Sequence, residues 1–440
     1  MILKTVKKML LAIVGLVAIV FVVQTARIVS LFRSASSGMS SVTGSAPASP
    51  AAPAPSRLPL PDLVLGLTRP AEWHDISSSK ISSPFSLTGG KLVPLDEAIS
   101  DMEEIKPEIR QRFEKELPAR LMSRIKDLPE PPEIPEILII SAPTPDFRAI
   151  RETARYWYLM SRWFFSQGQH EIALAIDAAI LLLAHEVETC DAAGASLISR
   201  MIAIAVRNIG TAAIMEMSDK LNLPAARLKS WTAVLMRLHD NMPGMERAWM
   251  CEKKLIPSVF HASNIPNRNR LAEAMCDPNR QKKYIDTFYD PLIEACKKPY
   301  PEAIELARTH QKKAEELQKI LDPGLHYLVY FFMPEDFFMQ FMMSMAIPSF
   351  RKAFDQDFNS RQVFRAAIIV LALRAYQIEH KSLPDSLEEL EKWLGKSLPA
   401  DVYTDKPMLY NNSGEKILYS AGPDGKPDTS DDTVFMPITP

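Results

Sequence analysis

The residues best suited to chemistry lie almost at the C-terminus, in the stretch LYSAGPDGKPDTSDDTVF, Leu418 to Phe435. Asp424, Asp428, Asp431 and Asp432 fall within nine residues, with glycine, proline, serine and threonine among them. Calcium takes roughly six to eight hard oxygen donors from a flexible loop. The four carboxylates could supply several, with backbone carbonyls of Ser420 or Thr433 adding more. Like charges crowded into so short a loop repel, and a divalent cation would relieve that repulsion while ordering the backbone. The competing reading is a solvated turn closed by its own side-chain-to-backbone bonds.

Other reactive residue types form weaker patterns. None of the eight histidines pairs with another one helical turn away around a glutamate, the arrangement of zinc proteases. His170-Glu171 and His185-Glu186 each begin that pattern without a second histidine. His185, Glu186, Glu188 and Cys190 cluster at the end of an apolar helix. There the helix dipole favours a histidine, so a mutually satisfied helix end competes with a metal site. No Gly-x-Ser-x-Gly elbow, phosphate loop or dinucleotide glycine pattern occurs. No catalytic residue and no organic cofactor are therefore assigned, and a non-enzymatic role is favoured. The four cysteines, Cys190, Cys251, Cys276 and Cys296, contain no Cys-x-x-Cys pair. Outside the cytoplasm Cys251 with Cys276 is the first disulfide to test; four ordinary core cysteines is the alternative.

These residues must be positioned by a mainly helical chain. With 440 residues there is room for two or three cores, and only 15 glycines disfavour a glycine-rich cofactor fold. Lys plus Arg (51) nearly balances Asp plus Glu (53), so no basic field argues for nucleic acid. At the N-terminus, Lys4, Lys7 and Lys8 precede an unbroken apolar run from Met9 to Val23. Snorkelling of Arg27 lengthens that run toward the ~20 residues a bilayer crossing needs. The expectation is an uncleaved single-pass transmembrane helix within 1–32, with a cleaved signal peptide or a buried soluble helix as rivals. The leading lysines place the N-terminus in the cytoplasm. Given a bacterial source, that puts the anchor in the inner membrane and the bulk of the chain on its periplasmic side.

Residues 33–60, rich in Ser, Ala and Pro, read as a tether. Residues 61–147 are mixed, with an amphipathic helical pattern between Asp96 and Ile125 and then a proline-rich connector. Residues 148–360 read as one irregular helical domain. Its helices are expected to break near Gly168, to restart at Gly194, Pro224 and Met245, and to continue over Gln281–Lys298 and Pro301–Ile320. HYLVYFFMPEDFFMQFMMSMAIPSF, interrupted by Pro334, is expected to be a core helix, with a membrane-apposed or partner-binding patch as the alternative. From Arg361 an apolar helix runs to about Tyr376. Leu383-Pro384-Asp385-Ser386-Leu387 then opens a short helix. Lys406–Tyr410 and Lys416–Ser420 alternate as strands around the turn Asn411-Asn412-Ser413-Gly414.

The order of helix, Tyr376-x-x-x-His380, Pro384-x-Ser386-Leu387-x-x-Leu390, Asp401-x-Tyr403 and Tyr419-Ser420-x-Gly422-Pro423-Asp424-Gly425-Lys426 resembles the C-terminal part of the major pseudopilins of type II secretion. The resemblance covers about the last 80 residues. It implies a small α+β module at 361–440 with a calcium-binding loop, for which Asp424, Asp428, Asp431 and Asp432 are the matching carboxylates. The whole chain also resembles uncharacterised membrane-anchored bacterial proteins of planctomycete type. In those a "Leu-Ile-Ser-x-(Leu or Met)-x-x-Ile-Ala" helix precedes the same ending, and Leu197 to Ala205 fits that wording. The expected function is a structural or protein-interaction role in the envelope, with the bilayer and other envelope proteins as partners. An accessory part of a type II secretion or pilus-like system, or an envelope hydrolase with a dispersed site, are the alternatives.

Overall fold

The computed structural model describes residues 107–126, 128, 133–134, 147–189, 196–259, 278–320, 335–413 and 416–437. The expected anchor, tether and first part of the mixed region lie outside these residues, as do Cys190 and Cys276.

The described chain is mostly helical and ends in a small three-stranded antiparallel sheet. The helices are α1 (Pro107–Lys126), α2 (Phe147–Ser166), α3 (His170–Thr189), α4 (Leu197–Met217), α5 (Ala225–Asp240), α6 (Met245–Val259), α7 (Pro278–Ala295), α8 (Tyr300–Ile320), α9 (Glu335–His380) and α10 (Leu387–Leu394). The strands are β1 (Leu409–Tyr410), β2 (Lys416–Ser420) and β3 (Thr433–Pro437).

Local chemistry explains most boundaries. The α2–α3 turn places Gly168 at φ 76°, and the Gln169 N–H reaches back to the Phe164 carbonyl at 2.9 Å. Ser196 caps α4 by accepting from the Ser199 N–H. Pro224 stands immediately before α5 and Ser386 caps α10, accepting from the Glu389 N–H. Glu389 in turn accepts from the Asp385 N–H at 2.7 Å. These two reciprocal bonds resemble a capping box.

The long helix α9 organises the packing. At ~1.5 Å per residue its 46 residues span roughly 70 Å. It passes through position 361 without a break. One face, with Phe364, Ala367, Ile368, Leu371 and Ala375, joins a core built from α1 to α5, including Leu121, Phe164, Ile180, Ile214 and Trp231. Another face, with Ile369, Val370, Leu373 and Tyr376, packs on Leu387, Leu390, Met408 and Leu418 of the C-terminal part. Nearer its start, Ala353 and Phe354 join a third cluster with α6, α7 and α8, where Phe354 stacks on Trp249 at 5.7 Å. Apolar residues at three- and four-residue spacing on two faces let this one helix serve both packings.

Helix α4 deserves the same test. Leu197–Lys220 is long and apolar enough to cross a membrane, yet 61% of its most apolar window is buried among its neighbours. Its Arg200 and Arg207 point into the protein rather than toward lipid, being only 3% exposed each. It is a core helix of the body.

The sheet runs β1-β2-β3. Leu409 pairs with Tyr419, Tyr410 with Leu418, Tyr419 with Val434 and Ser420 with Thr433. Leu418 pairs with Met436, so the register slips around Phe435. The first strand is shorter than the expected Lys406–Tyr410. The Asp401 N–H donates to the Lys406 carbonyl at 2.7 Å, and Asp405 sits at φ 58°. That turn consumes the first residues, and Pro407 has no N–H for a ladder.

Candidate functional site

The acidic loop joins β2 to β3, and its carboxylates divide into two pairs. Asp424 and Asp431 form the first. Asp431 Oδ2 accepts from the Asp424 N–H at 2.9 Å, and Asp424 Oδ1 accepts from the Lys426 N–H at 2.8 Å. The Thr429 hydroxyl donates to Asp431 Oδ1 at 2.6 Å and reaches Asp424 Oδ1 at 3.4 Å. The Thr429 bond is the main cause holding the Asp431 carboxyl below its ordinary range. Gly422 makes the close approach possible: it has φ 65°, and a Cβ there would lie 2.3 Å from the Asp431 carbonyl oxygen.

Asp428 and Asp432 form the second pair, around Lys416 at the start of β2. Lys416 Nζ donates to Asp432 Oδ2 at 3.0 Å and to Asp428 Oδ1 at 3.3 Å. It also lies 5.1 Å from the Tyr419 ring centre. The Asp428 N–H donates to Asp432 Oδ2 at 2.9 Å. The Asp432 side chain is 4% exposed, and its other oxygen, Oδ1, has no hydrogen-bond partner in the protein. That buried, unsatisfied oxygen is the atom in the loop best suited to a hard cation. Among the described residues no three His, Cys, Asp or Glu side chains converge as a ready-made metal cage.

A second constellation lies inside the body, and its pairing was not anticipated from sequence. Glu188 on α3 lies 2.7 Å from Arg200 and 2.5 Å from Arg207, both on α4. Arg200 also donates to Asp357 on α9 at 2.5 and 3.1 Å. Arg361, one turn further along α9, donates to the second Asp357 oxygen at 2.9 Å and to the Pro243 carbonyl at 2.6 Å. Burial alone would raise the Asp357 carboxyl, but Arg200, Arg361 and Arg207 overcome it and hold the group down at about 2. The available sequence signal was Arg200 and Arg207, two turns apart on one face of an otherwise apolar helix.

The cluster noted at the end of α3 is partly absorbed by this network. Glu186 faces the other way and pairs with Arg124 of α1 at 3.3 Å, and burial pushes its carboxyl up to about 7. His185 is buried, and burial lowers its pKa, so it is neutral at pH 7. Neither of its ring nitrogens has a hydrogen-bond partner in the protein.

Deeper still, Asp177 of α3 is fully buried, with the Ser161 hydroxyl and Arg162 as its polar neighbours. Burial pushes its pKa up to about 7 despite Arg162, whose nearest nitrogen is 3.8 Å away. Arg162 is also 3.4 Å from Glu216, which accepts a hydrogen bond from the Tyr158 hydroxyl at 3.0 Å.

No protein-family model, curated protein or solved structure matches the chain.

Proposed function

We propose that the chain is a membrane-anchored envelope protein with a structural or protein-interaction role. It crosses the inner membrane once, through the apolar run at Met9 to Val23, and its bulk lies on the periplasmic side. The observation that carries this reading is the use of buried charge. Arg200, Arg207 and Arg361 pair with the two carboxylates Glu188 and Asp357 across α3, α4 and α9. Such a network fixes which helices meet, a scaffold's requirement. The acidic loop supplies a ligand site, binding calcium through Asp424 with Asp428, Asp431 and Asp432. The order of elements in the last 80 or so residues supports a second reading, an accessory part of a type II secretion or pilus-like system.

The test is crosslinking in intact cells, followed by pull-down of the full chain from detergent-solubilised membranes. A reproducible envelope partner supports the scaffold reading, and a secretion or pilus component selects the second. Recovery of the chain in the soluble cytoplasmic fraction overturns both.

A further inference from the structure

We infer that Lys416 is the acidic loop's resident counter-cation and that a divalent cation enters the loop only by displacing it. This deepens the calcium reading and rests on it.

Two carboxylates that would repel each other, Asp428 and Asp432, share a single ammonium at 3.3 and 3.0 Å. Lys416 reaches them from the first residue of β2, while the aspartates lie in the loop that leads to β3. The ammonium therefore closes the connection as a bound cation would, tying the start of one strand to the entry of the next.

The closure is incomplete. An ammonium is a compact donor of three hydrogen bonds with a single charge. It satisfies one Asp432 oxygen and leaves the other, Oδ1, buried without a partner. Calcium brings two charges and takes roughly six to eight oxygens, so it can use both oxygens of one carboxylate. The orphaned atom marks what the lysine cannot supply. The two cations cannot occupy the cluster together, because a lysine nitrogen within hydrogen-bond distance of both carboxylates repels an incoming metal and occupies its space. The Lys416 side chain is 36% exposed and sits on a flexible stem, so it can swing into solvent. The loop thus has two closed forms, one on lysine and one on metal.

The experiment is calcium titration calorimetry on the full chain in detergent, comparing wild type, Lys416→Gln and Lys416→Arg. Circular dichroism in chelator checks that each is folded. The expected result is at least tenfold tighter calcium binding in K416Q than in wild type, with K416R no tighter than wild type. Equal affinity in wild type and K416Q overturns the role of Lys416 and leaves the calcium reading standing. No calcium binding in any of the three overturns both, and leaves a turn closed by lysine alone. If K416Q loses its fold, the intermediate comparison is wild type against K416R with terbium. Binding to K416R tighter than to wild type then counts against displacement, and equal or weaker binding supports it, because the larger guanidinium blocks the cluster at least as well.

Discussion

Arg200 and Asp357 stand 157 positions apart in sequence and meet in the interior, guanidinium to carboxylate, at 2.5 and 3.1 Å. Neither is accessible to water, at 3% exposed each. Arg200 also pairs with Glu188, so its removal leaves Glu188 to Arg207 alone and Asp357 to Arg361 alone. Breaking a buried pair by deleting one partner costs roughly 3–5 kcal/mol. Because each carboxylate keeps one arginine, that figure is an upper bound for Arg200→Ala, whose loss is read as a shift of the urea midpoint. Replacing both partners with apolar residues, Arg200→Met with Asp357→Leu, should recover part of the loss. An R200A midpoint within error of wild type would show that the network contributes little.

The same network fixes an acid response. The Asp357 carboxyl is held down at about 2 in the folded chain, below its ordinary value of 3.8. A depressed carboxyl contributes stability that is fully present above the unfolded value and is lost as pH falls through the folded one. Between about pH 4 and pH 2 the wild type should therefore lose stability faster than Asp357→Asn. Parallel acid titrations followed by circular dichroism check the slope, and identical slopes would remove Asp357 from the account.

Asp177 works in the opposite sense. Its carboxyl rises on folding from 3.8 to about 7, so the folded chain holds the proton more tightly than the unfolded one. Its contribution to stability is greatest below pH 4, declines as pH rises toward 7 and levels off above that. Asp177→Asn keeps the shape and cannot ionise. It should match the wild type near pH 3, below the unfolded value, and exceed it at pH 8. Urea midpoints of the two proteins at both pH values measure this, and a constant difference across pH would count against a buried neutral acid.

The two ionic features differ in how far the sequence revealed them. Element boundaries were readable where one residue decides them: Gly168 at the α2–α3 turn, Pro224 before α5, Ser386 capping α10. The buried network was not readable, because Arg200 and Asp357 are brought together only by the packing of α4 on α9. Asp355 and Asp357 look alike in sequence. Two positions apart on a helix, they face differently: Asp357 meets Arg200, while Asp355 lies part-exposed near Tyr300 and Arg351. The acidic loop was readable as a carboxylate cluster. The part of Lys416 was not, since β-pairing brings it from the far end of β2, 12 residues before Asp428.

Gly422 controls the geometry of that loop. Any side chain there must adopt φ 65°, and its Cβ would meet the Asp431 carbonyl oxygen at 2.3 Å. A non-glycine residue held in such a region costs about 1–3 kcal/mol, and backbone contact adds to it. Gly422→Ala should lower the thermal midpoint and speed amide exchange in β2 and β3 while leaving α1 to α5 protected. Hydrogen exchange read by mass spectrometry resolves the two regions, and unchanged exchange in the sheet would show that the turn relaxes freely.

Substitution of single carboxylates separates those a metal would use from those it would not. On the calcium reading the dissociation constant should fall in the extracellular range, ~0.1–1 mM, since the ligands are few and the loop is exposed. At about 5 mM calcium, mass action then stabilises the folded chain by roughly 1–2 kcal/mol over chelator. Asp424→Ala should abolish that gain. It removes a ligand and also the acceptor of the Lys426 N–H, which shapes the turn. Asp432→Asn should also abolish it, for a different reason. An amide in place of the buried orphaned oxygen either turns an N–H toward the metal or presents a neutral carbonyl. Melting of wild type and both variants with calcium or chelator decides between them. Equal wild-type midpoints, with no heat of binding, leave the loop an ordinary turn. A full calcium response in D424A together with none in D432N would take Asp424 out of the ligand set and leave the metal on the Asp428–Asp432 pair.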